Sequence, residues 1–439
     1  MTQRLLVVSD LHLTPPDAFD AFRAGDALAT FVQASARPGT TLALAGDVFD
    51  LLQLPGRPAS LDLRAAPDLI RAALGGIAAT SWGRDLFQGL RQLLQSGGRC
   101  LVLPGNHDPE LHHPDTRALL LGALELPDSA PLEVHRDASP WRDRIGRWEV
   151  ILGHGHRADA WNDVDPGALD GALATDDASL PLPPGSRLVV QVLQPFKRDP
   201  RTGAARFSFV DLLKPEPAVA LLLLYLDPGP ARELLATALG LHAEQIVRAF
   251  RQRLGPQPTL APGASIAAPP TIPEILADAL AAEVEPDLRQ APNAAVRLLQ
   301  NCLDGHAPAA AGTLAPHAGA RRWLARAYLR HLAKDTGSFD AAATNEIDRG
   351  VMAEHLPEGS GPRVVICGHT HAAREHRLPG ERVYLNTGTW IDLMQMPRLE
   401  DETASRDWID ALEADRVERF HHLTYAEVTE EGAWLRICQ

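Results

Sequence analysis

The chain has 439 residues, 45% hydrophobic and 22% charged, which excludes a disordered or fibrous protein and leaves room for two or three domains, or one domain with a large insertion. With 42 basic against 56 acidic side chains the formal net charge is −14, so bulk charge argues against indiscriminate binding of phosphate backbones. The N-terminus enters an apolar run at once, without a signal-peptide pattern. Leu5-Leu6-Val7-Val8 stops at Ser9-Asp10-Leu11-His12, Thr41–Ala45 stops at Gly46-Asp47, and Cys100–Leu103 stops at Pro104-Gly105-Asn106-His107-Asp108. Each is a short apolar run of the kind a strand covered on both faces needs. Helical patterns near Phe22–Ala36 and Asp85–Leu94 lie between them. Strand, helix, strand in alternation predicts parallel βαβ units, whose ligands bind beyond the carboxyl ends of the strands.

Further along, Glu149–Leu152 ends in Gly153-His154-Gly155-His156, and Arg363–Cys367 ends in Gly368-His369-Thr370-His371. Val383-Tyr384-Leu385 leads into Asn386-Thr387-Gly388-Thr389-Trp390, and the tail from Phe420 to Cys438 alternates around Glu430-Glu431-Gly432 as a hairpin does. Between Val164 and Gly359 the chain is rich in Ala, Leu and Pro and has no strand-end cluster. Helices are expected at Pro228–Leu254, Pro273–Val284, Ala294–Leu303 and Ala318–Lys334, with a linker at Gln257–Thr271 and a small β element near Arg187–Asp211. The organisation read from this is a first domain part over 1–163, a mostly helical insertion over 164–359, and a second domain part over 360–439. The longest apolar run, Ala218–Leu226, is far short of the ~20 residues that span a bilayer. Cys100, Cys302, Cys367 and Cys438 show no Cys-x-x-Cys spacing and read as free thiols in a reducing cytoplasm.

The strand ends collect Asp10, His12, Asp47, Asn106, His154, His369 and His371. That is more imidazole, carboxylate and amide than one metal needs, and about what two need if one carboxylate bridges them. The donor set suits Mn, Fe or Zn better than Ca. Strand alternation places i and i+2 on one face, which would let Asp-x-His and His-x-His each aim two groups at one site.

Asp10-x-His12, Gly46-Asp47-x-x-Asp50, Gly105-Asn106-His107-Asp108, Gly153-His154 and Gly368-His369-x-His371, in this order, resemble the blocks of the calcineurin-like metallophosphoesterases. The likeness covers about Met1–Asp163 and Gly361–Gln439. It implies an α/β fold, a four-layer αββα sandwich of two sheets flanked by helices, with the helical insertion as a cap. It implies a metallophosphoesterase that hydrolyses a phosphodiester, phosphomonoester or pyrophosphate bond, and the acidic charge of the chain favours a small nucleotide- or lipid-linked substrate over a polymer. One of two divalent ions would be held by Asp10, His12 and His371, the other by Asn106, His154 and His369, with Asp47 between them. The attacking group would be a bridging hydroxide, formed because the metals lower the pKa of water. His107 would face the substrate and serve its leaving group, and Asp108 would orient His107. Asp50 either supports the site or caps the following helix.

Gly46-Asp47-Val48-Phe49-Asp50-Leu51-Leu52 and Gly-Asn-His-Asp differ from the Asp-Arg-Gly and Asn-His-Glu wording of the protein Ser/Thr phosphatases. His154-Gly155-His156-x-x-Asp159-x-x-Asn162 and Asn386–Trp390 are similar to bacterial UDP-2,3-diacylglucosamine pyrophosphatases, which carry Arg at the place of His107 and Asp at that of His156. His156 is a substrate-side residue, a support behind the metal ligands or a solvent-exposed loop residue, and His112 and His113 are either substrate-side residues or loop decoration. The insertion leaves after His154 and returns before His369, so a lid over the metals is expected. Arg322, Arg326, Arg330 and Lys334 form one helical stripe, either a solvated face or a peripheral contact with an anionic membrane or substrate. Arg187–Lys214, with six basic and two acidic residues, reads as a surface hairpin. A nuclease and a non-enzymatic scaffold that binds a partner are the alternatives; no obligate protein partner is implied.

Overall fold

A computed structural model describes residues 3–15, 21–54, 56–175, 179–199, 202–212, single positions between 219 and 329, 343–397 and 402–438. The chain forms two compact units. One is Met1–Ser186 with Phe339–Leu393 and Phe420–Gln439; the other is Arg187–Ser338 with Met394–Arg419.

Two mixed sheets dominate the first unit. The strands are β1 (Arg4–Val8), β2 (Thr40–Ala45), β3 (Arg99–Leu103), β4 (Leu132–Val134), β5 (Trp141–Ile145), β6 (Trp148–Leu152), β7 (Arg363–Cys367), β8 (Arg374–Leu378), β9 (Arg382–Asn386), β10 (Thr424–Val428) and β11 (Ala433–Ile437). One sheet runs β11-β10-β1-β2-β3-β4, the other β8-β9-β7-β6-β5. β1, β2, β3 and β4 are mutually parallel, as are β6, β7 and β9. The C-terminal hairpin β10–β11 joins β1 antiparallel.

The two-residue period of a strand accounts for the layering. Leu5, Val7, Ala43, Ala45, Leu101 and Leu103 of the first sheet share one apolar cluster with Val150, Leu152, Val364, Ile366, Val383 and Leu385 of the second. The alternate residues Ile151, Val365, Cys367 and Tyr384 point the other way, where α6 (Glu346–His355) covers them with Val351. On the far side of the first sheet, Leu44, Cys100 and Val102 face Leu28 and Val32 of α1 (Gly25–Ser35), Leu74 of α2 (Ala66–Ala78), Leu86 and Leu90 of α3 (Ser81–Gln95) and Leu120 of α4 (Thr116–Ala123). Each fully buried aliphatic side chain of this kind contributes about 1.5–3 kcal/mol. The expected strands and both early helices are therefore present.

The register decides where the chemistry sits. Val8 pairs with Leu44, Ala45 with Leu103, Leu152 with Ile366, and Cys367 with Asn386. The parallel strands thus end level within each sheet, and their loops leave from the same edge.

Two sequence boundaries shift. Residues 164–186 and 339–359, read as insertion, belong to the first unit, and 394–419 belong to the second. The cause is packing: α5 (Pro166–Leu173) reaches His112 through Asp170, and α6 seals the second sheet. The β element expected near Arg187–Asp211 is instead helical. Pro184–Leu188 runs into a π-helical turn at Val189–Leu193 and a helical turn at Gln194–Phe196. Val192, Leu193 and Phe196 are buried at helical spacing, overriding the β-branched preference of the Val run. Of the hairpin only one bridge is present among the described residues, Arg198 to Ala205. In the second unit α7 (Glu402–Glu413) buries Trp408, whose ring stacks on Tyr328 at 6.5 Å. In the apolar run Ala218–Leu226, Val219, Leu222, Leu223 and Leu226 are buried. The expected helices at Pro228–Leu254, Pro273–Val284 and Ala294–Leu303, the linker at Gln257–Thr271, and Arg322, Arg330 and Lys334 lie outside the described residues. Among the described residues no helix is long and apolar enough to cross a membrane.

Candidate metal centre

The strand-end loops are stitched together before any side chain is considered. Beyond β1 and β2 the backbone continues to pair: Asp10 N donates to Gly46 O at 3.1 Å and His12 N to Asp47 O at 2.9 Å. Across the two sheets, His369 N donates to the Asp10 carboxylate at 2.9–3.0 Å, and within the second sheet Gly368 N donates to His154 O at 2.8 Å. Asp10, His12, Asp47, His369 and His371 all adopt left-handed backbone, with φ between 49° and 71°. This corrects the sequence argument. Asp10 and His12, and likewise His369 and His371, lie past the strand ends, so left-handed turns aim each pair, and strand alternation does not. Such conformations cost about 1–3 kcal/mol each and persist only where the surroundings over-determine them. Crowding also explains the glycines at 46, 105 and 368, though not Gly153, where a Cβ would meet nothing closer than 4.0 Å. A Cβ at Gly105 would lie 2.0 Å from Asp47 Oδ1, and one at Gly368 would lie 2.0 Å from Ser9 Oγ.

The seven expected donors come from five loops, and five of them close on two adjoining groups that share Asp10, while Asn106 and His369 fall in neither. Asp10, His12 and His371 bring one donor atom each within 4.8 Å of one another, as do Asp10, Asp47 and His154. His371 Nε2 lies 3.4 Å from Asp10 Oδ1 and 3.2 Å from His12 Nε2. Asp47 Oδ2 stands between the groups, 3.8 Å from His12 Nε2 and 3.3 Å from His154 Nε2. Such groups can hold a metal ion. Two buried atoms support this reading: Asn106 Oδ1 and His154 Nε2 have no hydrogen-bond partner among the described residues. Buried polar atoms are rarely left so, and a cation satisfies both. His154 Nδ1 is 2.9 Å from Ala45 O, so a neutral ring keeps its proton there and offers the Nε2 lone pair. His369 is placed differently. Its ring centroid is 5.3 Å from that of His154, and its Nε2 is engaged by Asp159 at 3.0 Å, which leaves Nδ1 as donor.

Charge balance follows from this crowding. Burial opposes ionisation of Asp10, but His154 and His371 outweigh it and bring its pKa down to about 2. Asp47 is likewise drawn well below its ordinary range, against burial, by His154, His107 and His12. Burial would lower His154, yet Asp47 and Asp10 push it up to about 9. In the metal-free protein a proton on His154 therefore stands where a cation would.

The acid that serves His107 is Asp50, and the expectation for Asp108 is corrected. His107 Nδ1 lies 3.0 Å from Asp50 Oδ1, and Asp50 Oδ2 is 3.5 Å from His12 Nδ1. Asp108 is fully buried and accepts three backbone N–H groups, from Val48 at 2.7 Å, Phe49 at 3.0 Å and Gly105 at 2.6 Å. Through these bonds it braces the Asp47 loop against its own. Burial, helped by the Asp47 charge, pushes Asp108 up to about 7. Asp50 precedes a short helical turn without capping it, and despite burial His107 and His12 hold it well below the carboxylate range. His107 and His371 are the partly open imidazoles, with side chains 19% and 17% exposed.

Sequence reasoning missed the supports behind the donors. Asn162 Oδ1 accepts from Asn106 Nδ2 at 3.4 Å, which holds the Asn106 amide, and Asn162 Nδ2 donates to Asp159 at 2.7 Å. Asp159 and Asn162 stood in view as a three-residue spacing after His156; only the fold shows what they touch. His156 is buried, not a solvent-exposed loop residue. It lines a cavity of about 270 Å³ with His112, Arg136, Arg157 and His355, and burial with the neighbouring His154 and His369 keeps it neutral. His112 is buried against Asp170 at 2.8 Å, and His113 is half-buried at the surface. Compared with known families and curated proteins, the chain matches no family model and no curated sequence.

Proposed function

We propose that this protein is a binuclear metal-dependent phosphoesterase with the four-layer αββα sandwich of the calcineurin-like metallophosphoesterases, acting on a small phosphorylated substrate. The observation that carries the reading is the position of Asp47, a buried carboxylate with His12 on one side and His154 on the other. Asp10, His12 and His371 would hold one ion, and Asn106, His154 and His369 the other, with Asp47 shared. Mn suits this oxygen and imidazole set, as do Fe and Zn. When bound, the ions supply Lewis acidity toward phosphoryl oxygens and an ionised water at neutral pH.

The chain's own residues do the rest. Ser9 and His369 N hold the Asp10 carboxylate in place. Asp159 and Ala45 O fix the tautomers of His369 and His154, and Asn162 fixes the Asn106 amide. With Nδ1 on Asp50, the proton that His107 can deliver to a leaving oxygen is the one on Nε2, and the Asp50 carboxylate stabilises the charged ring. The acidic chain, −14 overall, favours a small substrate over a nucleic-acid polymer.

The test is chelated protein reloaded with Mn²⁺ and assayed on a chromogenic phosphodiester and monoester. Wild type should hydrolyse at least one, and Asp47→Ala should be slower by more than about 100-fold, beyond what loss of a supporting residue costs. Equal rates in the two proteins would refute the assignment.

A further inference from the structure

The loop Gly368–His371 contributes one donor to each proposed ion, and both of its histidines sit in left-handed backbone, His369 at φ 71° and His371 at φ 60°. Two consecutive donors in that conformation, with one residue between them, need an outside restraint. The intervening residue is Thr370. Its Oγ1 accepts from Asn386 Nδ2 at 3.0 Å and from Arg374 Nη1 at 3.2 Å. Asn386 also donates to Gly368 O at 2.9 Å, so the loop is gripped at two points. Arg374 in turn is anchored by Asp348 of α6 at 2.7 Å, and both side chains are fully buried. Tyr384 donates its hydroxyl to the other Asp348 oxygen, and Asn386 lies 3.3 Å from it.

We infer that Thr370 and the buried Asp348–Arg374–Asn386 cluster are positioning residues that set the two-histidine loop for both ions. The inference rests on the proposed metal centre. A helix immediately following the insertion thereby holds the metal loop, since Asp348 lies on the third residue of α6. An interior ion pair is a poor source of stability by itself, because desolvation offsets its attraction. A role in geometry explains why a guanidinium and a carboxylate are placed here rather than apolar residues.

The experiment uses the full chain and Mn²⁺ alone, with free ion measured by its electron paramagnetic resonance signal and thermal unfolding recorded in parallel on chelated samples. Thr370→Val keeps the shape of the side chain and removes the acceptor; Thr370→Ser keeps the acceptor. Thr370→Val should weaken Mn²⁺ binding by about 10–100-fold, as supporting residues of metal ligands do. Thr370→Ser should return it to within a few-fold of wild type, with the two variants unfolding at similar temperatures. A triple variant, Asp348→Leu with Arg374→Met and Tyr384→Phe, should fold and show the same loss. If wild type binds Mn²⁺ and Thr370→Val binds it equally well, the inference falls and the metal centre stands. If wild type binds no Mn²⁺, the metal centre falls and takes the inference with it.

Discussion

In chelated protein the buried His154 should make stability fall as pH rises through the weakly alkaline range. Its folded pKa of about 9 exceeds the ordinary 6.5 because Asp47 and Asp10 outweigh burial. A group raised in this way contributes stability that is fully present below the unfolded value and lost as pH rises through the folded one. Between pH 7 and 8.5 the loss is about 1.7 kcal/mol from linkage with those two pKa values. Other groups contribute less in this window. Asp10 and Asp47 are ionised throughout it. Asp108, up at about 7, adds about 0.4 kcal/mol of loss at the lower edge, and the buried thiol of Cys100, pushed up to about 12, adds a loss of similar size at the upper edge, where the unfolded thiol ionises. The assay is urea unfolding after exhaustive chelation, at half-unit steps of pH. Asp47→Asn keeps an acceptor for His107 N but removes the charge, so its curve should lose about half of the slope or more. A wild-type curve flat from pH 7 to 8.5, or an Asn variant as steep as wild type, would refute the electrostatic account. The same proton must leave when a cation binds, so apparent Mn²⁺ affinity should rise about tenfold per pH unit between 7 and 9.

Asp50→Asn and His107→Asn should each lower kcat by about 10²-fold on a poor leaving group. The double variant should lose little more than either, because the two act as one unit; additive losses in steady-state kinetics would separate them. Asp159→Asn should weaken one of the two proposed ions by about 10–100-fold and spare the other, seen as the loss of one step in calorimetric titration. Gly46→Ala should abolish metal binding, since φ is +85° and the new Cβ would lie 2.4 Å from His154 Cγ. Gly56→Ala, at φ +72° but in open space, should cost no more than the ~1–2 kcal/mol of left-handed strain, measured by thermal unfolding.

Much of the fold and most of the donor set can be read from the residues alone. Runs such as Leu5–Val8 and Val364–Cys367 are apolar on both faces, as strands covered on both sides need, so their ends and the donors just past them can be read locally in the chain. Gly-Asp, Gly-Asn and Gly-His are also legible, because a donor packed against a neighbouring loop leaves no room for a Cβ before it. The tertiary structure decided what lies across large sequence separations. Asp50 reaches His107 over 57 residues and leaves Asp108 to the backbone, a choice that rests on loop packing and has no sequence period. Asp159, Asn162 and Asp348 act through contacts with His369, Asn106 and Arg374 that no spacing announces. Left-handed turns at five donors, and helix in place of strand after Pro184, follow from the same cause: neighbours distant in the chain outweigh local preferences of a few tenths of a kcal/mol to about 1 kcal/mol per residue.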